Sequence, residues 1–112
     1  MTSCDKALLI NKLMNKEKLK TMLGFAQKAG KLVSGEDGVT SALKSKKVNL
    51  ILVATDASDD TKKKYSAQAQ NYNIAHKEVL TKEELGNCIG KNFRTAVAII
   101  DDGFAKTIIT LL

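Results

Sequence analysis

Residues 50–60 read Leu-Ile-Leu-Val-Ala-Thr-Asp-Ala-Ser-Asp-Asp. The unbroken apolar run from Leu50 to Ala54 is best read as a strand covered on both faces, because a strand wetted on one side would alternate. The Asp and Ser residues from Asp56 to Asp60 supply capping side chains for a helix that follows directly and runs to about Asn71. A doubly covered strand leading into a helix is the unit of a layered α/β protein.

The same alternation continues in both directions. Downstream, Ile74 to Val79 reads as a second, weaker strand, and Thr81-Lys-Glu-Glu84 is a capping box that opens a short helix ending near Gly90. Ala96 to Ile100 is a third apolar strand, and Asp101-Asp102 caps a last helix through Ile109. Upstream, Ala26 to Ala29 finishes a helix that Gly30 stops, Leu32 and Val33 form a short strand, and another helix begins near Glu36. The order α-β-α-β-α-β-α-β-α predicts an α/β fold, a three-layer α/β/α sandwich with a sheet of about four strands. Residues 14–112 form its single domain. Residues 1–13 stand apart as an N-terminal extension, either lengthening the first helix or fraying.

Composition narrows the function. At 112 residues and 44% hydrophobic content the chain holds one core, and 4% aromatic content makes that core aliphatic. Cys4 and Cys88 have no metal-ligand spacing, no stretch resembles a cleavable secretory signal, and no apolar run approaches the roughly 18 residues of a membrane span. These features predict a cytoplasmic protein with reduced thiols, no cofactor and no small-molecule substrate. Charge is one-sided: residues 1–47 carry ten lysines against Asp5, Glu17, Glu36 and Asp37, whereas residues 48–112 balance eight basic with eight acidic groups. A basic field of this kind suits a phosphate backbone, or else a lysine-rich solubilising face. Lys62-Lys63-Lys64 is read as a solvated helix face, with a binding role as the alternative.

Catalytic chemistry finds little support. His76 is the only histidine and falls in a predicted strand, Cys88 has no histidine to activate it, and the pairs Asp59-Asp60, Glu83-Glu84 and Asp101-Asp102 each sit at a helix start, where carboxylates stabilise free N–H groups. Two surface sites remain. In the first, the junction from Gly30 to Ser41, Lys28, Lys31 and backbone amides would hold phosphates while Glu36 and Asp37 accept hydrogen bonds from base N–H groups. The second is the loop Gly90 to Ala96, where Phe93 or Arg94 could stack on an unpaired base over a floor of Thr95, Ala96 and Val97.

From Lys16 to Leu112 the chain resembles the kink-turn RNA-binding ribosomal protein superfamily, the L7Ae-like proteins, and within it the bacterial YlxQ-like branch of probable ribosomal proteins. The resemblance rests on Ala26-Gln-Lys-Ala-Gly-Lys-Leu-Val-Ser-Gly-Glu-Asp37, on Ala54-Thr-Asp-Ala-Ser-Asp-Asp-Thr-Lys-Lys-Lys64, and on Leu85-Gly-Asn-Cys-Ile-Gly-Lys91 followed by Val97-Ala-Ile-Ile-Asp-Asp-Gly-Phe-Ala105. It implies an α/β/α sandwich that binds structured, ribosomal or kink-turn-like RNA. The segment Gly35, Glu36, Asp37, Gly38, Val39, Thr40 and Ser41 would face sheared G·A pairs, and Arg94 to Val97 would shelter a flipped-out nucleotide. Where the family's usual base readers are Asn-Glu with a downstream Lys, this chain has Asp37-Gly38 and Ser41. A protein-interaction or regulatory module on the same fold, with a degraded RNA surface, is the alternative reading.

Overall fold

The computed structural model describes residues 3–112, with side chains from Asn15 onward. Its elements are α1 (Ser3–Lys28), β1 (Leu32–Ser34), α2 (Glu36–Lys44), β2 (Leu50–Val53), α3 (Asp59–Asn71), β3 (Ala75–Glu78), α4 (Lys82–Cys88), β4 (Ala96–Ile99) and α5 (Asp102–Thr110). The strands form one mixed sheet in the order β1-β4-β2-β3, with β4 antiparallel to both its neighbours and β2 parallel to β3. Every residue of the inner strands β2 and β4 is buried, as their unbroken apolar runs require. α2 packs on β1 and β4 and α3 on β2 and β3, while α1, α4 and α5 form the other layer. The edges are short or charged: β1 has three residues, and β3 carries His76, Lys77 and Glu78, which discourages edge-to-edge pairing.

Sharp helix ends keep the connections short. After α1, Lys31 N–H donates to Ala26 O at 2.8 Å and Gly30 N–H to Gln27 O at 3.1 Å, the paired bonds of a Schellman motif. The same pairing recurs after α2, α3 and α4, with Lys46, Asn73 and Gly90 in the positive-φ position. At the starts, Ser58 caps α3 by accepting from Thr61 N–H at 3.2 Å, with Asp59 and Asp60 in the first turn. Asp56 instead accepts from Lys82 N–H at 2.8 Å, so it ties the β2–α3 loop to the start of α4. Asp101 caps α5 through Phe104 N–H at 2.9 Å.

The backbone is helical from Ser3, continuous with the rest of α1, and the side chain of Cys4 lies outside the described residues. α1 is fastened to α4 through Glu84, which accepts from Lys16 at 2.8 Å and Lys20 at 3.1 Å while its other oxygen closes the capping box on Thr81 N–H at 3.0 Å. The hydrogen bond from Lys16, opposed by partial burial and joined by those from Thr81 and Lys20, holds the Glu84 carboxyl down at about 2. A depressed carboxyl stabilises the fold above its ordinary value of 4.5, and that stabilisation is lost as pH falls toward 2. Glu84→Gln, which keeps the box acceptor, should therefore flatten the pH dependence of thermal unfolding between these limits. Glu84→Ala should cost about 1 kcal/mol more at neutral pH through the lost cap. An unchanged acid limb in the Gln variant would remove the clamp from the account.

Candidate nucleic-acid interface

The pairing of β1 with β4 builds the site. Ser34 lies opposite Val97, and Gly35 N–H donates to Ala96 O at 3.3 Å, so the chain leaves β1 beside the point where it enters β4. Gly35 sits at φ 83 and ψ 159, backbone space that is essentially closed to residues with a Cβ, and is the N-cap of α2 without a side-chain cap. The first-turn amides of Glu36, Asp37 and Gly38 are therefore left for an external acceptor. Glu36, Asp37 and Ser41 are exposed, and Gly38 and Thr40 half-buried.

The loop before β4 closes against the same place. Lys91 N–H donates to Gly86 O at 2.8 Å and Arg94 N–H to Lys82 O at 3.1 Å, which folds the loop onto α4. This approach needs a glycine: a Cβ on Gly86 would lie 1.6 Å from Asn92 O. Phe93 is thrown outward, 68% exposed. Arg94 donates from Nη1 to Phe93 O at 2.9 Å and from Nε to Ser34 Oγ at 3.4 Å, so its guanidinium bridges the two segments. Thr95 is half-buried and its carbonyl accepts from Ala54 N–H at 2.8 Å.

Gly35, Glu36, Asp37, Gly38, Thr40 and Ser41 thus share one end of the sheet with Phe93, Arg94 and Thr95. The structure places the other expected residues differently. Ala96 and Val97 are 0% exposed members of β4, so they brace the site from beneath and offer no side-chain surface. Lys28, the last residue of α1, and Lys31, whose O accepts from Ile100 N–H at 2.9 Å, lie toward the other end of β1. Four residue steps of extended chain separate Lys31 from Gly35 by roughly 13 Å. The short strand expected at Leu32 and Val33 is β1, and it holds the two ends of the junction apart.

Sequence reasoning missed one contact within the site and one neighbour of it. Ser34 is the partner of Arg94, a contact across sixty positions that no local pattern announces. Lys64, assigned to a solvated face, places Nζ 3.9 Å from Glu36 Oε1 and 5.5 Å from the Tyr65 ring centroid. Tyr65 is fully buried, its hydroxyl finds no partner among the described residues, and burial, with the Glu36 charge adding, pushes it up to about 12. Cys88 is half-buried and donates to Leu85 O at 3.3 Å, and burial raises its thiol, which disfavours the thiolate. Among the described residues no group of three His, Cys, Asp or Glu could hold a metal ion, and no helix is long and apolar enough to cross a membrane.

The family model of the ribosomal protein L7Ae/L30e/S12e/Gadd45 family matches residues 17–109. The chain belongs to this family. It is 41% identical over 91 residues to the RNA-binding protein YlxQ of Bacillus subtilis (strain 168), covering 81% of this chain and 91% of that one. It is 36% identical over 92 residues to the RNA-binding protein YlxQ of Enterococcus faecium, covering 82% and 88%. A solved structure of a Bacillus halodurans C protein of unknown function superposes with a TM-score of 0.80 at 34% identity, over 84% of this chain and 95% of that one. These matches place the chain in the YlxQ branch of the L7Ae-like family.

Gly86 offers a test of the local construction. Gly86→Ala forces the Asn92 backbone away and should destabilise the protein by about 1–3 kcal/mol, as overpacking does. The displacement should be read at the Phe93 loop by amide hydrogen exchange. Unaltered protection of residues 90–95 would show that the contact does not position Phe93.

Proposed function

We propose that this chain is a non-catalytic RNA-binding protein of the cytoplasm that holds kinked or bulged structured RNA, with ribosomal RNA the leading target class. The observation that carries the reading is the juxtaposition of uncapped α2 amides with the Phe93–Arg94 ledge, locked by the Gly35 N–H bond to Ala96 O. Helix-start amides receive phosphate oxygens, and an exposed aromatic beside a guanidinium receives an unstacked base. A bent RNA presents both at once, whereas a continuous duplex keeps its bases stacked. The names of the two YlxQ relatives support RNA as the ligand. Residues 14–112 would form the binding domain and residues 1–13 an appendage, in keeping with a family match that begins at residue 17.

Base readout is limited in this proposal. Asp37 has no amide donor, Gly38 no side chain and Ser41 no charge, so shape and backbone carry more of the recognition. One observation favours the protein-interaction reading: Glu36 and Asp37 put two carboxylates where a polyanion would approach. Ionic strength separates the two, since phosphate binding weakens steeply with salt and an apolar protein contact barely responds.

Phe93→Ala should weaken binding to a bulged RNA by about 1–3 kcal/mol and leave a continuous duplex nearly unaffected, measured by titration with RNAs that differ only in the bulge. Equal losses on both would reduce the ledge to a nonspecific contact. The combination Asp37→Asn, Gly38→Glu and Ser41→Lys should add roughly 1–3 kcal/mol of discrimination per recovered base contact for a kink-turn over a duplex. A Cβ at Gly38 meets Val33 Cβ at 3.8 Å, an ordinary van der Waals contact, so a side chain can begin there without a clash. Failure to discriminate would mean that these positions do not read bases.

A further inference from the structure

An RNA strand held at the α2 start meets Glu36 and Asp37, and the lysines expected to offset them, Lys28 and Lys31, lie at the far end of β1. Cations must come from neighbouring elements. On the β4 side Arg94 supplies one. On the other side stands α3, whose Lys64 already approaches Glu36 Oε1 at 3.9 Å, a loose pairing that a phosphate oxygen can displace. Lys63 is exposed, and among the described residues no carboxylate lies within ion-pair distance of it.

The sheet makes these lysines continuous with the site. Val53 lies opposite both Ala96 and Glu78, and Gly35 N–H bonds to Ala96 O, so one row runs from β3 through β2 and β4 to the residue that follows β1. Between α3 and β3 a groove opens onto this row, lined by Lys62, Lys63, Ser66, Gln70, His76 and Glu78. Lys62 is engaged by Glu78 at 3.3 Å, so Lys63 on the groove wall and Lys64 beside Glu36 are offered to a ligand on this flank. Asp59 and Asp60, exposed at the start of α3, bound the basic stretch on its N-terminal side.

We infer that α3 is a second RNA-contacting element: Lys64 and Lys63 bind phosphates of the strand that leaves the α2 amides and direct it along the groove between α3 and β3. The inference rests on the RNA reading above and extends it to the nucleotides flanking the bulge. On binding, Lys64 exchanges the Glu36 carboxylate for phosphate. The contact carries no base specificity, since an ammonium recognises charge alone.

The test compares the full-length protein, the Lys63→Ala, Lys64→Ala double variant and Lys106→Ala, a control on α5 in the opposite layer whose cation pairs with Asp102 at 3.1 Å. Each is titrated across salt with one bulged RNA trimmed to its core and with the same core carrying a flanking strand, folding being checked by circular dichroism. The double variant should flatten the log–log salt slope on the flanked RNA by on the order of 0.7–0.9 for each lost phosphate contact, leave the core RNA unchanged, and differ from the control. An unchanged slope on the flanked RNA, or equal flattening on both RNAs, overturns the α3 track. In the first case Phe93→Ala still impairs binding if the wider RNA reading holds. Wild-type protein that binds neither RNA would take both down together.

Discussion

β4 pairs antiparallel along both edges, with β1 on one side and β2 on the other, and the candidate RNA-binding end of the molecule depends on that pairing. An antiparallel partner sets the exit of one strand beside the entry of the next. The exit of β1 is Gly35 and the entry of β4 is Thr95–Ala96, so segments sixty residues apart meet through the Gly35 N–H bond to Ala96 O and the Arg94 bond to Ser34 Oγ. Because β4 is buried on both faces, the pairing is shielded from water and the register is fixed by which side chains face each layer. The loop carrying Phe93 gains a second anchor where Gly86 lets the backbone of α4 touch it.

Electrostatics at this end differ from the impression left by the chain's charge profile. The basic half of the sequence spends part of its charge on structure, with Lys16 and Lys20 clamping α1 to α4 through Glu84. Lys28 and Lys31 flank the opposite end of β1. The first turn of α2 is acidic, and the nearest cations, Arg94 and Lys64, both come from the half whose formal charges cancel. Net charge along a sequence therefore describes long-range attraction of a polyanion. It does not locate the contact, because adjacent residues can lie at opposite ends of a strand.

The layers were legible because they are written in local periodicity. Leu50 to Ala54 reads as a doubly covered strand and Ala96 to Ile100 as an apolar one, Thr81 and Glu84 announce the capping box, and Asp101 announces the start of α5. Strand order was not legible, since pairing of β1 with β4 is a nonlocal choice made by burial. The same limit hid the role of Asp56, whose position suggests a cap for α3 but whose carboxylate serves Lys82 in the next αβ unit. It also hid Lys64, because a lysine run on a helix looks alike whether its neighbour is water or the start of α2. For the candidate site, the two segments were readable one by one; their adjacency, the burial of Ala96 and Val97, and the separation of Lys31 were properties of the sheet.

The site has a division of labour between backbone and side chain. Its backbone part consists of the φ 83 turn at Gly35, the uncapped amides of α2 and the close approach at Gly86, none of which depends on the side chains at positions 37, 38 or 41. Substituting base-reading side chains there leaves the geometry of the cleft intact while removing hydrogen bonds that discriminate one base from another. A protein built this way can still recognise the bend of an RNA, because a bend is presented as phosphate positions and an unstacked base. In the proposed reading affinity rests on phosphate contacts and stacking, which are tolerant of sequence, and the burden of choosing a target shifts from base identity to the shape of the RNA.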